Sequence, residues 1–367
     1  MARILLLSAP FGHGHNKAAK NIQSELERRG HTTAIADFFS VDSRHISKMV
    51  AYLHEKMVSK SPSLFGLLCE LTKSPHAMEL AEQLNHLNRR NAVKLIEKHK
   101  PDLVVCTHFT PLGACVGLPE KYSDLPVLGV VTDFSVHPLW MVAETAKYFV
   151  AHKEAADQLE YFGISPDRIF VTGIPVSDQF VPVERRASDL REVLVMAGGM
   201  GLDSIEAVME GLQTCPGTLK VTFLCGENGK LRNKLIRQAK TFRHSAEILS
   251  YTDQVPALMQ KADVLVTKPG GLTCSEALAT SLPMILFGSL PGPEEGNARF
   301  LVESGVALPA TTAKDIGRLV DRLFTDTRRY RQLVDACSWI GFPASTKQIA
   351  DEIVKTPVTP ASIKRLQ

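Results

Sequence analysis

The 367-residue sequence has no apolar run approaching the roughly 18 residues that a membrane-spanning helix needs, so a spanning protein is not expected. Its seven cysteines are odd in number, scattered and without a CxxC pair. That excludes the usual zinc sites and favours a reducing compartment. A formal net charge of +3 is too small to argue for a nucleic-acid partner. The first glycine loop, Gly12-x-Gly14, lacks the third glycine of a dinucleotide fingerprint, because Lys17 stands there. No Gly-Lys-Ser/Thr follows it, which excludes a P-loop. What is present is ordinary for a globular chain: 44% hydrophobic and 22% charged residues. The length exceeds one comfortable core, so two cytoplasmic domains are expected.

Met1-Ala2-Arg3 and the apolar Ile4 to Leu7 start like a signal sequence but reach Pro10 too soon, and predict a first buried strand. A loop through Gly12-His13-Gly14-His15 follows, then a helix to about Arg29 and a second strand from His31 to Asp37. This is a βαβ unit with a glycine loop at its carboxyl end, where α/β sheets place ligands. His13 and His15 there are either satisfied loop histidines or a general base. A helix N-terminus disfavours imidazole protonation, which suits proton abstraction near neutral pH.

Arg44, Lys48, Lys56 and Lys60 alternate with apolar residues, and an apolar patch including Phe65, Leu67 and Leu68 follows. Such a stretch either lies on an anionic membrane surface or packs as a helical insertion with solvated lysines. Further strands are predicted at Asp102–Cys106, Val127–Val131, Tyr148–Ala151 and Arg168–Val176. Asp133, His137 and Trp140 follow a strand end, where they either line a cleft or pack under a loop. Gly173 and Pro175 mark the expected boundary. The expected domains are residues 1–176, 177–340 and a tail, 341–367, crossing back to the first domain.

The second half repeats the plan, with a strand from Glu192 to Met196, the loop Ala197-Gly198-Gly199-Met200-Gly201 and a helix. Its centre is Thr267-Lys268-Pro269-Gly270-Gly271-Leu272-Thr273-Cys274-Ser275-Glu276, between a short buried strand and a helix. Such a turn is either a plain βα corner or an anion cradle of bare backbone N–H groups. Residues 291–298 are expected to form a rigid loop whose carboxylates and amide suit sugar hydroxyls.

Several motifs recur in one order. They are Gly12-His13-Gly14-His15-x-x-Ala18-Ala19, Thr132-Asp133-Phe134 with His137 and Trp140, and Val171-Thr172-Gly173-Ile174-Pro175-Val176. Lys268-Pro269-Gly270-Gly271 with Glu276, and Pro291-Gly292-x-Glu294-Glu295-x-Asn297-Ala298, complete the set. Together they resemble the monogalactosyldiacylglycerol synthase and processive diacylglycerol glucosyltransferase group of glycosyltransferase family 28. The resemblance implies the GT-B fold, two Rossmann-like α/β domains facing across a cleft. It implies an inverting hexosyltransferase with UDP-glucose or UDP-galactose in the second domain and a diacylglycerol-type acceptor at the first. It places the protein peripherally on the cytoplasmic face of the cell membrane.

The residues it implies are His15 as general base and Asp133 to orient a histidine or line the acceptor site. Gly14, His137 and Trp140 fall on the acceptor side. Gly199, Gly201, Gly270, Gly271 and Lys268 would meet the diphosphate, Glu276 the ribose, and Glu294 with Asn297 the hexose. The UDP-sugar is a substrate, and neither a cofactor nor a metal is expected. One departure is Pro293, where the family usually has Gln, removing a side-chain amide and an N–H beside the hexose. Rival expectations are a peptidoglycan-precursor N-acetylglucosaminyltransferase, a nucleotide-sugar epimerase and a non-catalytic UDP-sugar sensor.

Overall fold

A computed structural model describes residues 1–10, 14–41, 52, 71, 88–185, 191–196, 202–288 and 292–358. Phe65, Leu67, Leu68, Gly199 and Gly201, with the basic stretch around them and His13, lie outside the described residues. The chain divides into two compact units: Met1–Val176 with the stretch from Ala344 onward, and most of Ser177–Pro343.

In the first unit six parallel strands carry the order β2-β1-β3-β4-β5-β6. They are β1 (Arg3–Ser8), β2 (Thr32–Asp37), β3 (Leu103–Cys106), β4 (Val127–Val130), β5 (Lys147–Val150) and β6 (Ile169–Val171). Leu6 of β1 pairs in register with Ile35 on one side and Val105 on the other. Both faces are covered, so the strands read as continuous apolar runs. Leu5 and Leu7 pack on one core, while Ile4 and Leu6 point to the other. That second core holds Ala19, Ile22 and Leu26 of helix α1 (Gly14–Arg28).

It also holds Ile349, Ala350 and Ile353 of the C-terminal helix Ser345–Val354. Arg29 beside α1 pairs with Asp351 at 2.6 Å, and Lys147 with Glu352 at 3.0 Å. Ser345 Oγ accepts the Val176 N–H at 3.1 Å. The last helix is thus part of the first unit's core, separated from it in sequence by the whole second unit. The opposite face is covered by a helix over residues 88–99 (α2), by α3 (Phe109–Ala114) and by α4 (Lys153–Tyr161).

The second unit has six parallel strands in the order β12-β11-β10-β7-β8-β9. They are β7 (Glu192–Met196), β8 (Lys220–Leu224), β9 (Ser245–Leu249), β10 (Val264–Thr267), β11 (Met284–Leu286) and β12 (Ala307–Pro309). Between them run α5 (Leu202–Leu212), α6 (Gly229–Gln238), α7 (Val255–Lys261), α8 (Gly271–Ala279) and α9 (Pro293–Glu303). α10 (Ala313–Thr325) and α11 (Thr327–Ile340) follow the last strand. α5 and α10 cross with backbones touching, since a Cβ on Gly211 would collide with the Ala313 carbonyl. α8 is buried on nearly every side. Arg185 donates to the carbonyls of Met259, Ala262, Thr280 and Ser281, neutralising the C-terminal ends of α7 and α8 together.

Residues 293–298 open the helix α9 and do not form the rigid loop expected there. A proline in the first helical turn gives up an N–H that has no intrahelical partner anyway. Its missing donor therefore costs the fold nothing, and Glu294 and Glu295 sit in a first turn that favours negative charge.

Candidate active site

In each sheet the strand order reverses once, between β1 and β3 in the first and between β7 and β10 in the second. Loops leaving adjacent strands in opposite directions open a crevice at the carboxyl edge there. Among the described residues, Gly14 and His15 follow β1 at the first reversal, and Lys268, Gly270 and Gly271 follow β10 at the second.

At the first, β1 leads toward Gly14 and His15, which open α1. β3 is followed by Thr107, fully buried, whose N–H donates to the Leu7 carbonyl at 3.0 Å. β4 ends near Thr132, also buried. The His15 Nδ1 lies 3.0 Å from the Thr107 carbonyl oxygen and 2.7 Å from the Thr132 hydroxyl. A carbonyl only accepts, so Nδ1 carries the ring proton and Nε2 is left with its lone pair. Among the described residues Nε2 makes no hydrogen bond. Burial holds the imidazole below the ordinary histidine value, and the nearby Asp133 carboxylate and the Thr107 carbonyl oppose that shift. A histidine kept neutral with a fixed tautomer and an open Nε2 is equipped to accept a proton.

The His108 ring meets His15 edge-on, with centroids 4.8 Å apart. Its own Nδ1 accepts the Thr110 N–H at 3.1 Å and starts α3. Phe109 lies against His108 at 4.1 Å and stacks on His137 at 5.9 Å. His137 accepts the Leu139 N–H at 3.2 Å, capping the short turn Pro138–Trp140. Trp140 is 2% exposed and packs edge-on to Phe109, so it backs this stack from the core and presents no surface for an acceptor. Thr107, Thr132 and His108 were not singled out as site residues from the sequence. Their signal was position, immediately beyond the ends of predicted strands.

At the second reversal Lys268-Pro269-Gly270 leaves β10, and Gly270 caps α8 with φ −72°. A Cβ on Gly270 would meet nothing within 4 Å, so the turn faces open space. The α8 first-turn N–H groups therefore suit an anion. Lys268 Nζ lies 3.2 Å from Glu294 Oε1. A recess beside it is lined by Met196, Thr267, Lys268 and Phe287. Asn297 is fully buried, and its amide donates to the Pro269 carbonyl at 3.0 Å. That bond ties the start of α9 to the turn, so the Asn297 expected at the hexose is buried in this structure. Glu276 is 1% exposed in α8. Burial, with the Glu294 and Glu276 carboxylates nearby, pushes the Cys274 thiol far up and leaves it inert. Among the described residues no group of three or more His, Cys, Asp or Glu could hold a metal ion.

Residues 15–176 match the monogalactosyldiacylglycerol (MGDG) synthase family, and residues 192–324 the glycosyltransferase family 28 C-terminal domain. The first stretch is thus similar to the monogalactosyldiacylglycerol synthase family, and the second to glycosyltransferase family 28. The chain is 26% identical over 364 residues to the processive diacylglycerol beta-glucosyltransferase of Bacillus mycoides, covering 96% of this chain and 93% of that protein. The fold is that of GT-B glycosyltransferases. It matches MurG of Acinetobacter baumannii with a TM-score of 0.64 at 14% identity, over 97% of this chain and 100% of that one. It also matches Anabaena Alr3699/HepE in complex with UDP and glucose, with a TM-score of 0.56 at 12% identity and the same coverage. Among the described residues no helix is long and apolar enough to cross a membrane.

Proposed function

We infer that the protein is an inverting UDP-sugar glycosyltransferase that moves a hexose to diacylglycerol or a glycosyl-diacylglycerol. The observation that carries this reading is His15, with Nδ1 tied to Thr107 and Thr132 and Nε2 without a hydrogen bond among the described residues, inside the stretch that matches the monogalactosyldiacylglycerol synthase family. Glucose is the favoured hexose, from the beta-glucosyltransferase relatives.

In the reaction, His15 Nε2 takes the proton of an acceptor hydroxyl as that oxygen attacks the anomeric carbon. The bond from that carbon to the diphosphate breaks, and UDP leaves as an anion. Gly270, Gly271 and the α8 N-terminus, with Lys268, offer fixed donors to the departing charge, as do Gly199 and Gly201 of the loop after β7. Glu276 takes the ribose and Glu294 the hexose, while Asp133 compensates charge as His15 becomes imidazolium. Gly14 and His137 belong to the acceptor side. We assign no cofactor. The acceptor is a lipid, so we place the enzyme peripherally on an anionic, cytoplasmic membrane face, with Phe65, Leu67 and Leu68 against the bilayer.

The test is incubation with diacylglycerol vesicles and each UDP-hexose in turn, followed by mass spectrometry. Hexosyl-diacylglycerol from UDP-glucose is the expected product. Equal transfer to lipid-free acceptors would overturn the lipid reading.

A further inference from the structure

We propose that Thr132 is a positioning residue for proton transfer, its hydroxyl and the Thr107 carbonyl together locking His15 in the Nδ1–H form. The inference rests on His15 being the base.

Two oxygens converge on one ring nitrogen, at 3.0 Å from Thr107 and 2.7 Å from Thr132. If Nδ1 were bare, its lone pair would face the carbonyl lone pairs at 3.0 Å with no hydrogen between them. With Nδ1 protonated, the single N–H is shared between two acceptors and both contacts are satisfied. The other well-placed histidines of the molecule have the reverse polarity. His152 Nδ1 accepts the Ala155 N–H at 3.4 Å, and its Nε2 donates to the Phe134 carbonyl at 2.6 Å. His244 Nδ1 accepts the Leu219 N–H at 3.4 Å, and its Nε2 donates to the Leu212 carbonyl at 2.8 Å. Both have protons on Nε2 and serve the fold. His15 alone in this comparison has its proton on the inner nitrogen, leaving the outer one as a base.

Both orienting oxygens are on rigid supports. Thr107 continues the β1–β3 pairing through its N–H to Leu7, and Thr132 follows the buried Val131, whose N–H donates to Phe149 at 2.9 Å. Neither orienting group carries charge. They fix the tautomer without the strong pull on a second proton that a carboxylate in direct contact exerts, so the ring stays neutral at working pH. The groups of the described structure that act on His15 through charge or ring contact are Asp133 and His108.

The test uses Thr132→Val, which keeps the shape, and Thr132→Ser, which keeps the hydroxyl. Two-bond ¹H–¹⁵N spectra of the full chain, with His15→Gln for assignment, report the tautomer without reference to activity. Wild type should show His15 as Nδ1–H. Thr132→Val should lower kcat about fivefold to tenfold, the scale of one hydrogen bond, with KM nearly unchanged. It should also move the acidic limb of the pH–rate profile to lower pH, because the imidazolium loses an acceptor. Thr132→Ser should restore both. An Nε2–H tautomer in wild type overturns the proposal, and so does a Ser variant as impaired as the Val variant. If His15→Ala retained full transfer, the base assignment would fail while the nitrogen spectra still decided the tautomer.

Discussion

The two strand-order reversals share a backbone plan and differ in what they place there. In the first unit the titratable atoms belong to a side chain, His15, held between the Thr107 backbone carbonyl and the Thr132 hydroxyl with Asp133 close by. In the second they belong to the backbone, at the Pro-Gly-Gly turn and the start of α8, with Asn297 holding the Pro269 carbonyl from below. Proton transfer needs one titratable group with a fixed tautomer, and only a side chain supplies that. Holding a diphosphate needs several N–H donors at fixed angles, which a helix terminus supplies with little reorganisation.

That contrast predicts separable losses. Replacing His15 with Ala should lower kcat by about 10²- to 10⁴-fold. UDP affinity, measured by calorimetry, should stay within about twofold. A parallel loss of UDP affinity would move His15 to the donor side and erase the distinction. Next in size is Asn297→Ala, which strands the buried Pro269 carbonyl and should cost about 1–3 kcal/mol in denaturant unfolding. UDP binding should weaken with it, because the turn loses its support, while the tautomer of His15 should not change.

A subtler separation comes from Gly270→Ala. With φ at −72° and open space around the new methyl group, the melting temperature should hold. UDP affinity should nonetheless fall severalfold, because the methyl occupies the approach to the α8 N–H groups. Unchanged affinity would show that the diphosphate lies elsewhere. Smallest is Asp133→Asn. Asp133 raises the His15 pKa, and His15 works as the neutral base. Removing the charge should move the acidic limb of the rate profile to lower pH by less than about one unit. A shift toward higher pH would contradict a through-space role for that carboxylate.

Much of the fold was legible because apolar runs such as Ile4–Leu7 and Val264–Val266 are bounded by glycine loops, a pattern that forces parallel strands with helices between them. The helix Thr327–Ile340 went unread although Tyr330, Leu333, Val334 and Cys337 repeat at helical spacing. Pro293 reads as a loop residue in the sequence and starts a helix in the structure, since proline marks a helix start as readily as a turn. His15 and Lys268-Pro269-Gly270-Gly271 stood out by their place after predicted strands. Trp140 stands out on the same ground and Asn297 by its amide in the 291–298 motif, and both are buried in the structure.

By itself the sequence determined the alternation of strand, loop and helix, and the residue types at each strand end, because periodicity and turn chemistry are local properties. Which strands lie side by side was decided by packing across the whole chain, which put β3 next to β1 and β10 next to β7. That adjacency brings Thr107, 92 positions from His15, to its inner nitrogen, and Thr132, 117 positions away, to the same atom. No local signal records which ring nitrogen holds the proton, because two distant strand ends choose it.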